Sequence, residues 1–326
     1  MRLFAFSQRP DELPYFEKFR KQYGVELGSC PKGPSLENVG LAAGYPCVSV
    51  VTTPIEPPLM DRLYEEGVRY ISTRTIGYDH IDLEHAKKIG MGVGNVSYAP
   101  GSVADFTIML ILMAIRNAKA MLARAGVQDF SLPGLSGRCL SNLAVGVVGT
   151  GRIGQAVISR LSGFGCRILA CDPFAKPEGN TTAIYTDLET LLSESDILTL
   201  HMPATPENYH MINRETLSRM KPNAIIVNTA RGSLVDTAGL LDAIEEKRLG
   251  GAALDVMEEE RGVYFKDLRQ EILKNRNLAI LKSYPNVIVT PHMAFYTDQS
   301  VSDMVEHSIQ SCQLFLNGEE NPWKVV

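Results

Sequence analysis

Three polar residues in the second half of the chain each follow a short apolar run: Arg231 after AIIVNTA, Glu260 after ALDVMEE, and His292 after VIVTP. Their chemistry fits reduction of a 2-oxo acid. A guanidinium can hold a carboxylate through two parallel hydrogen bonds and polarise the neighbouring carbonyl. A histidinium can donate the proton that accompanies hydride delivery. A carboxylate bonded to the second ring nitrogen favours the protonated ring. Each residue also has a plainer role. Arg231 could bind only a helix end or a phosphate, and His292 could be a satisfied loop histidine. Glu260 belongs to an acidic run, Glu258–Glu260, that could simply be solvated. Spacing alone does not choose among its three members. His80, His85, His201, His210 and His307 are weaker candidates, although His201 ends a predicted strand within reach of a cofactor.

Reduction needs a hydride source, and the stretch Leu143–Asp172 reads as its seat. Leu143–Val148 is a short β-branched run suited to a strand buried on both faces. Gly149, Gly151 and Gly154 follow at G-x-G-x-x-G spacing, and Ile153–Leu161 repeats apolar residues at helical intervals. A second strand, Cys166–Cys171, ends at Asp172. Strand, glycine turn, helix, strand and acid form the dinucleotide-binding order. Gly149 permits the tight turn, Gly151 lets a pyrophosphate approach the backbone, and Gly154 lets the helix pack closely. The helix start then presents N–H groups to phosphate. Asp172 lies 23 residues after Gly149, where a carboxylate accepts from the adenosine ribose and repels a 2′-phosphate. Lys176 is the nearest downstream cation, so NAD is expected rather than NADP.

The elements that position these residues read as two α/β domains. At 326 residues the chain exceeds a typical single core. A net charge of −5 and no basic stripe argue against nucleic acid. MRLFAFSQRPDELPYF lacks a signal-peptide core, and Phe106–Ile115 is far short of a membrane span, so a soluble chain is expected. Six cysteines without C-x-x-C spacing suit a reducing, cytoplasmic compartment.

Strands at Arg2–Phe6, Cys47–Val51, Val68–Ser72 and Gly92–Val96, alternating with helices, predict a flavodoxin-like parallel sheet in the first hundred residues. Its strand-end loops collect Arg74, Thr75, Gly77, Asp79, His80 and Tyr98. Asp79, His80, Asp82 and His85 read as an acid-rich helix start, and no metal site is expected. One long helix is predicted over Val103–Ala123. Beyond Asp172 the β–α alternation continues as a doubly wound parallel sheet of Rossmann type. The final helix, Ser300–Leu316, needs a core and is expected to return to the first domain.

Over essentially its whole length the chain resembles the D-isomer-specific 2-hydroxyacid dehydrogenases. The residues that carry the likeness are GTGRIG with Asp172, LHMPAT, NTARGSLVD, GAALDVMEEE and TPHMAFYTD. The resemblance implies that Arg231, Glu260 and His292 are catalytic, which selects Glu260 from the acidic run. It implies NAD contacts at Gly149, Thr150, Gly151, Arg152, Ile153, Gly154, Asp172, Met202, Pro203, Asn208, Thr229, Ala230 and Asp255, the last meeting the nicotinamide carboxamide. It also implies a discontinuous substrate domain (1–98 and 295–326), a cofactor domain (99–294) and a homodimer formed through the latter. Within the family the D-lactate dehydrogenase branch, vancomycin-resistance type, looks most similar. The likeness lies in STRTIGYDHID, the GNVSYAPGSVADFTIMLILMAIRNAK stretch and the long insertion after Glu260. That branch implies substrate contacts at the N–H groups of Ile76 and Gly77, at Tyr98 and at Phe295. Formate dehydrogenases place glutamine where Glu260 stands and fit less well.

The expected activity is therefore NADH-dependent reduction of pyruvate or a similar short 2-oxo acid to its D-hydroxy acid. The alternative in the same class is an enzyme for bulkier branched or aromatic 2-oxo acids. Ordinary D-lactate enzymes carry a tyrosine near Thr52–Pro54, and the small residues here leave room. A third reading is an NADH-sensing protein resembling the related transcriptional co-repressors.

Overall fold

Runs of four or five residues with every side chain buried form the inner strands of two parallel sheets, as sequence covered by helices on both faces requires. The computed structural model describes residues 1–175 and 182–326, which fall into two units, Met1–Ala99 with Tyr296–Val326 and Pro100–Phe295. Lys176 lies outside the described residues.

The smaller unit contains β1 (Arg2–Ala5), α1 (Leu13–Gln22), β2 (Glu26–Ser29), β3 (Cys47–Val50), α2 (Pro57–Glu65), β4 (Tyr70–Thr73), α3 (Leu83–Ile89) and β5 (Gly92–Gly94). The sheet order is β2-β1-β3-β4-β5 with every pair parallel, the flavodoxin-like arrangement. Strand β2 was not predicted. ELGS has no apolar run, because an edge strand exposes much of its surface. Asp82 caps α3 by accepting from the His85 N–H at 2.9 Å, and His85 Nε2 lies 2.7 Å from Asp61. The final helix, Asp298–Asn317, packs on α1 and β4. Its Val305, Ile309 and Cys312 join Leu3, Phe16, Phe19 and Tyr70 in one buried cluster.

A buried ion pair ties the loop after β4 to the chain that follows β1. Arg74 and Glu12 are both fully buried, with Nε to Oε1 at 2.9 Å. Arg74 also donates to Ser49 Oγ and to the Phe6 carbonyl, each at 2.9 Å. Its donors are thus matched, as a buried guanidinium demands.

The larger unit opens with α4 (Gly101–Ile115) and α5 (Ala118–Ala125). The single helix expected over Val103–Ala123 is therefore two, meeting at 69°. The break falls at Asn117, whose φ of +52° is left-handed, a conformation asparagine tolerates. Its side chain donates to the Ser136 carbonyl at 3.0 Å, which fixes the bend. Among the described residues no single helix is long and apolar enough to cross a membrane.

The chain then runs β6 (Ala144–Val148), α6 (Arg152–Ser162), β7 (Arg167–Cys171), β8 (Ile184–Tyr185), α7 (Leu188–Glu194), β9 (Ile197–Leu200), α8 (Arg214–Ser218), β10 (Ile225–Asn228), α9 (Thr237–Glu245), β11 (Gly251–Leu254), α10 (Arg276–Ser283) and β12 (Val287–Val289). The order β12-β11-β10-β9-β6-β7-β8 is parallel throughout and reverses direction at β6, as in a Rossmann sheet. Helices α4 and α6 bury their apolar sides on one face, and α7, α9 and α10 on the other.

Candidate active site

Strands β10, β11 and β12 are adjacent and parallel, so the loops that follow them share one sheet edge. Arg231 follows β10, Glu260 lies in the segment after β11, and His292 follows β12. His292 Nδ1 and Glu260 Oε1 are 2.7 Å apart, with about a quarter of each side chain exposed. Glu260 Oε2 accepts from the Met257 N–H at 3.2 Å. The backbone of His292 is left-handed at φ +54°, and its N–H reaches the carbonyls of Asp255 (2.8 Å) and Thr290 (3.1 Å). Such a conformation costs a non-glycine residue about 1–2 kcal/mol, strain that the surrounding bonds hold in place.

Those bonds centre on Asp255, which is fully buried. Its Oδ1 accepts from Thr290 Oγ1 at 2.6 Å and the Met293 N–H at 2.9 Å, and its Oδ2 from the Ala294 N–H at 2.8 Å. One side chain therefore sets the course of the loop that carries His292. Asn228 does the same for Arg231: it accepts from the Ala230 N–H at 3.0 Å and donates to the Arg231 carbonyl at 2.8 Å. Asn228 and Thr290 were missed in the sequence. Their signal is a polar residue ending an apolar strand.

The three acids of the run diverge. Glu260 faces His292, whereas Glu258 bonds His210 Nε2 at 2.6 Å and takes both the N–H and hydroxyl of Thr237. Burial works to raise the Glu258 carboxyl, but the Thr237 and His210 bonds outweigh it and hold it below the usual range. Glu259 is left-handed at φ +56°. The Tyr264 hydroxyl is buried with no partner among the described residues. Burial first, then Glu260 and Asp255, push it above its ordinary value.

At the glycine turn, Gly149 has φ +87°, and a Cβ there would lie 2.8 Å from the His201 backbone. A Cβ on Gly154 would stand 2.0 Å from the Gly149 carbonyl oxygen. A Cβ on Gly151, by contrast, would meet nothing within 4 Å, so this position faces the open side of the turn. Asp172 Oδ2 accepts from the Thr150 N–H (2.7 Å) and hydroxyl (3.0 Å), and Oδ1 from the Phe174 N–H at 2.8 Å. Burial acts to raise the Asp172 carboxyl; these donors outweigh it and keep the group ionised. A turn open at Gly151 beside an ionised acid fits a dinucleotide with a free ribose 2′-hydroxyl.

The β9 loop closes on itself through Asn208, which donates to the Pro203 carbonyl and accepts from the Thr205 N–H, both at 2.8 Å. Met202 packs against the core beneath. Thr229 meets Thr107 at 2.9 Å between hydroxyl oxygens. Burial holds the His201 ring neutral, with its pKa lowered to about 3. Its Nε2 contacts Thr199, and its enclosed Nδ1 has no partner among the described residues.

In the smaller unit, the segment after Arg74 holds its carbonyls inward. Thr75 Oγ1 donates to the Gly77 carbonyl at 2.6 Å and Asn95 to the Ile76 carbonyl at 2.8 Å. Among the described residues neither the Ile76 nor the Gly77 N–H bonds a protein acceptor. Tyr98 lies in the loop after β5, half-buried. Phe295 is the last residue of the larger unit.

A Rossmann sheet with a dinucleotide turn, and an arginine and a His–Glu pair on the same strand edge, defines a dinucleotide-dependent oxidoreductase. The family model described as "D-isomer specific 2-hydroxyacid dehydrogenase, NAD binding domain" matches residues 108–294. A D-specific alpha-keto acid dehydrogenase of Enterococcus faecium is 43% identical over 318 residues, covering 97% of this chain and 98% of that protein. An aromatic 2-oxoacid reductase of Clostridium sporogenes is 40% identical over 320 residues, 97% of this chain and 96% of the relative. The solved structure of a D-2-hydroxyisocaproate dehydrogenase superposes with a TM-score of 0.90 at 32% identity, covering 100% and 99% of the two chains. The chain belongs to the D-isomer-specific 2-hydroxyacid dehydrogenases. It is an NAD-dependent oxidoreductase.

Proposed function

We propose that this enzyme reduces a 2-oxo acid to the D-2-hydroxy acid, with Arg231, Glu260 and His292 as its catalytic residues. The observation that carries the reading is the His292–Glu260 contact of 2.7 Å on the strand edge it shares with Arg231. When bound, NADH supplies the hydride. Gly149, Thr150, Gly151, Arg152, Ile153 and Gly154 would hold its pyrophosphate, Asp172 its adenosine ribose, and Asp255 the carboxamide. Met202, Pro203, Asn208, Thr229 and Ala230 would line its remaining length. Arg231 binds the substrate carboxylate and polarises the adjacent carbonyl, while the N–H groups of Ile76 and Gly77 take the carboxylate's other lone pairs. His292 gives the carbonyl oxygen a proton from Nε2, and Glu260 at Nδ1 orients the ring. Tyr98 and Phe295 border the substrate.

Residues 1–98 with 295–326 form the substrate domain in this reading, and 99–294 the cofactor domain. The enzyme acts as a cytoplasmic homodimer. Pyruvate and similar short 2-oxo acids satisfy the carboxylate and carbonyl contacts. A second reading, bulkier 2-oxo acids, is favoured by the small residues Thr52, Thr53 and Pro54 and by the aromatic 2-oxoacid reductase relative. Purified enzyme with NADH is offered pyruvate, 2-oxobutyrate, 2-oxoisocaproate and phenylpyruvate, with loss of nicotinamide absorbance followed and the product's chirality determined. D-hydroxy acid from at least one of them is the expected result. NADH binding without turnover on any of them would replace this reading with that of an NADH sensor.

A further inference from the structure

Phe265 combines two unfavourable features. It sits in the left-handed region at φ +62°, where a side chain other than glycine or asparagine is strained, and it leaves 60% of its surface exposed. Strain of this kind persists where neighbours hold it, and here the neighbours are identifiable. The segment leaves Glu260, whose carbonyl accepts from the N–H groups of Val263 and Tyr264, each at 3.1 Å. Val263 and Tyr264 then pack against the core of the larger unit, which pins the turn from below. Phe265 is the next residue, and it comes out beside the catalytic histidine. Its ring centroid lies 6.0 Å from that of His292, tilted by 41°. Phe295 approaches the same imidazole from another loop, at 6.4 Å and nearly edge-on.

His292 thus stands beside two aromatic rings from separate loops, yet about a quarter of its side chain remains open. A substrate whose carbonyl oxygen reaches that imidazole has the group on its carbonyl carbon only a few bonds away, in the neighbourhood of these rings. A methyl group would cover little of the Phe265 surface. A planar aromatic side chain would bury much of it and gain ring–ring contact in addition. We propose that Phe265 is a specificity-determining residue that contacts the substrate's side chain and selects aromatic 2-oxo acids over pyruvate. This rests on the proposed reduction at His292 and names the substrate class within it.

The test compares the wild-type enzyme with Phe265→Ala, Phe265→Leu and, as a control on the same segment, Ile272→Ala, whose side chain is 87% exposed. NADH oxidation is measured with phenylpyruvate, 2-oxoisocaproate and pyruvate, alongside the KM for NADH and the melting temperature. Phe265→Ala is expected to lower kcat/KM for phenylpyruvate roughly tenfold while pyruvate changes less than about threefold. Phe265→Leu should keep most activity on 2-oxoisocaproate, and Ile272→Ala should leave the substrate ranking as it was. An equal loss on all three substrates, or no loss on phenylpyruvate, overturns the assignment while reduction itself stands. A wild-type enzyme that oxidises NADH with none of them overturns the reduction and this subsite together.

Discussion

At the scale of single residues, the proposed chemistry rests on a charge that holds the substrate and a proton donor beside it. Arg231→Gln keeps length and hydrogen-bonding capacity but removes the cation, so the carboxylate loses its charge-assisted pair. The loss in kcat/KM is expected at roughly 10²–10⁴-fold, with NADH affinity little changed. Near-normal turnover would take Arg231 out of the site. Glu260→Gln preserves shape at the 2.7 Å contact but withdraws the negative charge beside Nδ1. A fall in kcat on the order of a hundredfold is expected, larger than any change in substrate KM. Equal effects on both would mean that Glu260 merely shapes the pocket. Arg231 and His292 stand out in the sequence as candidates because each follows a short apolar run, and both runs form strands. Glu260 was not separable from its neighbours by spacing. The distinction arises from a local turn with Glu259 left-handed, which sends Glu258 toward His210 and Glu260 toward His292.

At the scale of elements, the buried strands were readable because a parallel sheet covered on both faces demands continuous apolar sequence. The edge strand Glu26–Ser29 and the two-residue strand Ile184–Tyr185 were not, since neither has an apolar run long enough to mark it. The bend at Asn117 was hidden for a different reason: apolar periodicity continues through it, and a single left-handed residue leaves no trace in a pattern. The loop after β12 shows how a strand end is shaped around the candidate site. Asp255 receives a hydroxyl and two backbone N–H groups from residues 290–294. Asp255→Asn replaces one of its acceptor oxygens with a donor, leaving a buried donor facing another donor. Each unsatisfied group costs about 1–3 kcal/mol. The variant should therefore melt several degrees lower and lose kcat, as read by thermal unfolding and steady-state kinetics. An unchanged melting temperature would show that the loop holds its course without this carboxyl.

At the scale of the whole molecule, two sheets with different strand orders divide the chain, and the alternation of strand and helix foretold both. The last helix belongs with the first unit because an amphipathic helix needs an apolar partner, and it finds one in Phe16, Phe19 and Tyr70. What alternation does not explain is the surface that follows the bend. In α5 and the loop beyond it, Leu122, Val127, Phe130 and Leu132 are 62%, 77%, 78% and 84% exposed within eleven residues of chain. A monomer rarely leaves so many large apolar side chains together in water. The proposed homodimer would cover them, because a two-fold axis presents the same patch on both copies. Replacing Leu122 and Phe130 together with aspartate would place like charges across that axis. Light scattering on the eluting protein should then report half the wild-type mass. Each subunit should keep its fold, since neither residue belongs to the core. A wild-type protein already monomeric at micromolar concentration, or a double variant that keeps the dimer mass, would mean that this face serves another purpose.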